Sequence, residues 1–98
     1  MLSTEYDREA DALYLRLRVG LACRTEEIDP GTLLDLDEHG ELLGIEVIRP
    51  SRAWPLEEVL SRYQVAPDDG HMLRSLDPWR WQEPLNQDVA GSGRLPLA

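Results

Sequence analysis

Residues 33–47, Leu-Leu-Asp-Leu-Asp-Glu-His-Gly-Glu-Leu-Leu-Gly-Ile-Glu-Val, decide the fold. Leu34 and Leu36 lie two apart, as do Leu43, Ile45 and Val47, and between the two sets stands the polar stretch Asp37-Glu38-His39-Gly40. Period two places each set on one side of a strand, and a short polar segment between two such runs makes them an antiparallel hairpin. The leucines share a face with Ile45 and Val47 when Leu36 stands opposite Glu41. That register calls for a four-residue loop closed by a type I turn whose last residue, Gly40, takes positive φ without steric cost. A register off by one would turn one apolar set to solvent.

Outward from the hairpin, Ala12 to Val19 alternates in the same way, with Leu13, Leu15, Leu17 and Val19 on one side and Tyr14, Arg16 and Arg18 on the other. Leu2, Thr4 and Tyr6 repeat the pattern, and Asp7 to Asp11 is a polar connection of hairpin length, so two antiparallel strands open the domain. Ala22 to Asp29 is predicted as a further strand, broken at Pro30-Gly31 by a turn or bulge. Past the hairpin the period becomes helical, with Leu56, Val59, Leu60 and Tyr63 at i, i+3, i+4 and i+7. Pro55 suits the first helical turn, and Glu57 and Glu58 sit well against the positive end of the helix dipole. The expected fold is α+β: an antiparallel β-meander of three to five strands with one amphipathic helix covering one face, and Trp54 packed into the core at the helix entry. Residues 1–63 form this domain. Residues 64–98, interrupted by Pro67, Gly70, Pro78, Pro84, Gly91, Gly93 and Pro96, form an irregular extension with at most one helical turn at His71 to Leu76 and a flexible end from Val89.

Ninety-eight residues suffice for one core only, because a chain of this size buries roughly 60–65% of its unfolded surface. Apolar residues make up 42% and charged ones 30%, which is the composition of a folded chain. Nineteen acidic side chains stand against ten arginines, with no lysine, for a net charge of −9. A chain so acidic repels phosphate backbones and anionic lipid, and no five-residue window holds more than two arginines, so neither nucleic acid nor membrane is expected as a partner. Cys23 is the single cysteine, which excludes an internal disulfide and a thiolate-only metal site. With an N-terminal stretch rich in acids and no apolar run long enough to span a bilayer, the expected location is the cytoplasm.

Tyr6-Asp7, Glu9-Ala10-Asp11, Leu13-Tyr14, the run Thr25 to Gly31, and Asp35, Asp37, Gly40 and Gly44-Ile45-Glu46 together form a spaced pattern. It resembles the domain-of-unknown-function family 2283, small bacterial and archaeal proteins, over roughly residues 4 to 62. The resemblance implies a compact β-meander followed by a helix, with no established activity, cofactor or catalytic residue. Some members sit beside genes for small toxin-like proteins, which implies an antitoxin or adaptor role.

Five groups of side chains are chemical candidates. Asp35, Asp37 and Glu46, with Asp7 and Asp11 flanking the first turn, offer the hard oxygens that Mg²⁺ or Ca²⁺ prefers, against the plainer reading of a solvated sheet face and turn-forming aspartates. His39 in the hairpin loop and His71 near Asp69 are the only histidines, and both read as exposed polar residues rather than catalysts. Cys23 reads as a small strand residue. Arg16 and Arg18 can anchor a partner's carboxylates or pair with acids across the sheet. Trp79-Arg80-Trp81 has the composition of a binding hot spot and is equally suited to folding back over the sheet. No nucleotide-binding or hydrolase motif occurs. The expected function is a non-enzymatic protein-interaction or regulatory module, antitoxin-like or an adaptor. It needs no cofactor and pairs with a basic protein or with a second copy as a homodimer. The alternative is a small metal-dependent enzyme or ligand-binding protein built on the acidic set.

Overall fold

The structure, a computed structural model, describes residues 2–77 and 79. Five strands form one antiparallel sheet: β1 (Ser3–Asp7), β2 (Ala12–Arg16), β3 (Arg24–Asp29), β4 (Thr32–Leu36) and β5 (Leu42–Ile48). Two helices follow, α1 (Leu56–Arg62) and α2 (Pro67–Ser75), so the class is α+β.

The sheet order is β1-β2-β5-β4-β3. Three connections are hairpins, but β2 does not lead to its neighbour: the chain crosses to the far edge to start β3, and β5 then returns to pair with β2. A plain meander is thus replaced by two blocks, β1-β2 and β3-β4-β5, joined through β2 and β5. The crossing begins earlier than the alternation predicts. The backbone N–H groups of Leu17 and Arg18 both donate to the Leu43 carbonyl, at 2.8 and 3.1 Å, which ends β2 at Arg16 and sends Val19 into solvent at 93% exposure.

The first hairpin turns on its aspartates. An Asp7 carboxylate oxygen accepts from the N–H groups of Glu9 and Ala10, while Asp11 takes positive φ and accepts the Tyr6 hydroxyl at 2.6 Å. Pro30 and Gly31 make the β3-β4 turn, with Gly31 at φ +100°, and a register slip lies earlier than the sequence suggests, between Glu27 and Asp29. Arg52 clamps this corner from beyond β5. Its guanidinium donates to the hydroxyl of fully buried Thr32 at 2.8 Å and to both Asp29 oxygens at 3.3 and 3.4 Å.

The β4-β5 register departs from expectation. Gly40 closes the turn at φ +76°, donating to the Asp37 carbonyl, but Leu36 pairs with Leu42 instead of Glu41. Asp35 pairs with Gly44, so Leu43 is an extra residue on β5, a β-bulge. The bulge seats Leu42 among the core side chains in place of Leu43, which is buried outside that cluster.

The core joins Leu13, Leu15, Leu17, Leu34, Leu36, Leu42, Ile45 and Val47 of the sheet region to Trp54, to Leu56 and Val59 of α1, and to Leu73 of α2. Pro55 stands at the N-cap position of α1, Glu57 and Glu58 lie in its first turn, and Glu58 pairs with Arg62 one turn on at 3.0 Å. Helix α2 stands where the sequence predicts no more than a single turn. Its first turn opens on Pro67, an Asp69 carboxylate oxygen accepts the Leu2 N–H at 3.1 Å, and Arg74 grips the Glu57 carboxylate with two nitrogens. No helix among the described residues is long and apolar enough to cross a membrane.

Candidate interaction surface

Alternation assigns every second strand residue to the face opposite the core. There stand Glu5 of β1, Tyr14 and Arg16 of β2, Gly44 and Glu46 of β5, Leu33 and Asp35 of β4, and Thr25 and Glu27 of β3. Apart from Gly44 these side chains are exposed or half-buried, whereas their neighbours Leu13, Leu15, Leu34 and Ile45 are sealed.

Tyr14 organises the centre of this face. Its hydroxyl crosses above Gly44 and donates to Asp35 Oδ2 at 2.8 Å, while the Thr25 hydroxyl donates to Asp35 Oδ1 at 2.8 Å. Gly44 is what lets the ring pass, since a Cβ there would lie 2.1 Å from the phenolic oxygen. Burial of the ring, then the hydrogen bond to Asp35 and its negative charge, push the Tyr14 hydroxyl up to about 12. The Arg16 guanidinium lies 5.3 Å from the centre of the same ring, a cation–π distance. A shallow depression of about 470 Å³ spans Glu5, Tyr14, Arg16, Asp35 and Glu46, bounded at one end by Gly20 and Ala22 of the β2-β3 connection and by Leu43. Val19 and Leu21 of that connection are 93% and 82% exposed.

The predicted acidic set is divided. Asp35 and Glu46 share the open face, as the inferred alternation requires. Asp37 is engaged in its turn, where its carboxylate accepts the N–H groups of Glu41 at 2.9 Å and His39 at 2.8 Å, and the bond from Glu41 chiefly holds it below the usual carboxylate range. Asp7 and Asp11 serve the first turn. Among the described residues no group of three or more His, Cys, Asp or Glu side chains is arranged to hold a metal ion. His39 lies exposed beside Glu38, His71 is exposed on α2, and Cys23 is exposed just before β3.

The two arginines part as well. Arg16 lies on the open face, and Arg18, beyond the end of β2, pairs with the Glu41 carboxylate. Trp79 is half-buried on the core side, its ring 5.4 Å from that of Tyr6 and tilted by 47°. Arg80 and Trp81 lie outside the described residues. A second cleft, of about 410 Å³, runs between the end of β2, the β4-β5 turn and the α1-α2 link, bordered by Arg18, Glu41, Arg62, Tyr63 and Asp69. Sequence reasoning missed the Tyr14–Asp35–Thr25 linkage and the exposed apolar pair Val19 and Leu21. A glycine inside a strand two residues before Glu46 was the available signal for the first.

These features define a small α+β protein with a five-stranded antiparallel sheet whose second face carries a tyrosine, an arginine and a surplus of carboxylates. The chain belongs to the family described as protein of unknown function, DUF2283, whose model matches residues 3–51. The match takes in all five strands, with Tyr14, Asp35, Gly44 and Glu46, and ends before α1. Searches of curated proteins and of solved structures each found no match.

Proposed function

We propose that the chain is a non-enzymatic protein-interaction or regulatory module, antitoxin-like or an adaptor, and that the face centred on Tyr14 is its contact surface. The carrying observation is that this face has no covering layer of helix or strand among the described residues, yet holds half-buried Tyr14 and Leu33 between carboxylates. Sheets bury apolar surface against a second layer, and a face left with half-buried apolar groups is suited to a partner. The excess of 19 acids over 10 arginines favours a basic protein.

The test is recovery of the tagged full-length chain from the cells that encode it, at low and raised salt, beside a Glu46→Lys variant. A protein recovered in near-stoichiometric amount and lost with both raised salt and Glu46→Lys supports the reading. Recovery of the chain alone, or of a partner indifferent to Glu46→Lys, defeats it.

A further inference from the structure

Resting on that reading, we infer that the occupant of the open face is a basic amphipathic helix of another protein, laid over Tyr14 and Leu33 with its apolar stripe reaching Val19 and Leu21.

Size argues for a single helix. Five strands about 4.8 Å apart and about five residues long at 3.3 Å each make a face of roughly 24 by 17 Å, on the order of 400 Å². A globular partner or a second copy needs about 800 Å² per side for a stable interface. One helix, about 10 Å across and spanning the face in three turns, fits the available area.

Charge argues for a basic one. Glu5, Glu27, Asp35 and Glu46 share the face with one cation among the described strand residues, Arg16. Asp35 already accepts from Tyr14 and Thr25, but Glu5, Glu27 and Glu46 make no hydrogen bond or ion pair among the described residues. Two copies set face to face would oppose four carboxylates to four. Lysines or arginines flanking the apolar stripe of a helix would instead meet Glu5 and Glu27 on the two edge strands, at the rim of the contact, where charge governs partner choice, and one more would reach Glu46 between Tyr14 and Leu33.

Apolar placement sets the extent. Tyr14 and Leu33 are half-buried in the middle of the face, and the connection carrying Val19 and Leu21 borders the depression through Gly20 and Ala22. Val19 and Leu21, the two most exposed aliphatic side chains of the described residues, stand on either side of Gly20, which borders the depression, within reach of an apolar stripe repeating every three to four residues.

The probe is a synthetic helical peptide of roughly fourteen residues with leucines on one face and lysines flanking them, long enough to cross the sheet. It is titrated into isotope-labelled full-length protein while backbone amide resonances are followed. A matched peptide with glutamate for lysine, and the paired variants Glu5→Lys with Glu46→Lys and Glu9→Lys with Glu38→Lys, serve as controls. The expected result is saturable binding whose shifts centre on Tyr14, Leu33 and Glu46 and extend to Val19 and Leu21. It should weaken about tenfold in the first variant pair and less than about twofold in the second, which changes net charge equally but lies off the face. Shifts scattered over every acidic patch, equal weakening in both pairs, or binding of the glutamate peptide overturns the inference. So does concentration-dependent broadening of the same resonances without peptide, which assigns the face to a second copy. A partner recovered from cells and lost with Glu46→Lys, together with any of these results, leaves the interaction-module reading standing while this one falls.

Discussion

The two faces of the sheet are made by the same five strands and differ in what each asks of a side chain. On the core face Leu15, Leu34, Leu36, Ile45 and Val47 are fully sealed, and each can be exchanged only for something of its volume. On the other face Tyr14, Leu33, Asp35 and Glu46 are half-buried, and Asp35 is held by the Thr25 hydroxyl and by the Tyr14 hydroxyl, which passes over Gly44. The first face stores stability in volume. The second holds its centre through directional contacts from Tyr14 and Thr25 to Asp35.

The largest effect that separates the faces is truncation. Leu34→Ala should cost about 2–5 kcal/mol, the range for deleting a buried leucine, and its half-buried neighbour Leu33→Ala about 1 kcal/mol or less. Urea unfolding of the two variants measures both, and equal losses would mean that the open face is packed as tightly as the core.

Next in size is the close approach at Gly44. Gly44→Ala places a Cβ against the Tyr14 phenol and should destabilise by about 1–3 kcal/mol through overpacking. In a Tyr14→Ala background the same change should cost far less, because the clash has gone. A double-mutant cycle reads this coupling, and additive losses would mean that Tyr14 does not lie over Gly44.

A smaller effect is one of pH. The Tyr14 hydroxyl ionises at about 12 in the folded chain against an ordinary value of 10, so the folded state holds this proton more tightly than the unfolded one. The stabilisation is fully present below pH 10 and is lost as pH rises toward 12. Tyr14→Phe should make stability fall less steeply over that interval, and Asp35→Asn should bring the late phase of the phenolate absorbance titration to lower pH. A titration in which Tyr14→Phe removes an early phase instead would reverse the assignment.

What is legible in the sequence follows the same division. Period two at Leu13, Leu15 and Leu17, and at Leu34 and Leu36, is sufficient to find the core face, because burial imposes it residue by residue. The bulge escapes because Leu42 and Leu43 are adjacent and identical, so pattern alone does not say which one enters the core. Val19 reads as a fourth alternating residue, and only the Leu43 carbonyl, 24 residues away, receives the two N–H groups that end the strand. Helix α2 is hidden by Pro67 and Gly70, which spell a loop locally; Leu73, buried in the shared core, is a tertiary fact. On the open face, Asp35 and Glu46 are found together by alternation, but Tyr14 and Asp35 meet across 21 residues and an intervening strand, and nothing in the local text of either announces it.

The smallest expected effect bears on whether those carboxylates are a surface or a metal site. A hard divalent cation takes six or more oxygens and gains most from several carboxylates converging on one point. Here Asp35 spends an accepting position of each oxygen on Tyr14 and Thr25, and Asp37 spends its carboxylate on the hairpin turn. Glu46 is the one member of the predicted trio without such a bond, and a single carboxylate does not hold Mg²⁺ or Ca²⁺ against water. Binding to the folded state alone would raise the melting temperature by mass action, so millimolar Mg²⁺, Ca²⁺ or Mn²⁺ should leave it unchanged once ionic strength is matched with monovalent salt. A rise of several degrees that disappears in Glu46→Gln would convert the open face from a contact surface into a cation site, and would end the distinction between the two faces on which the proposed function depends.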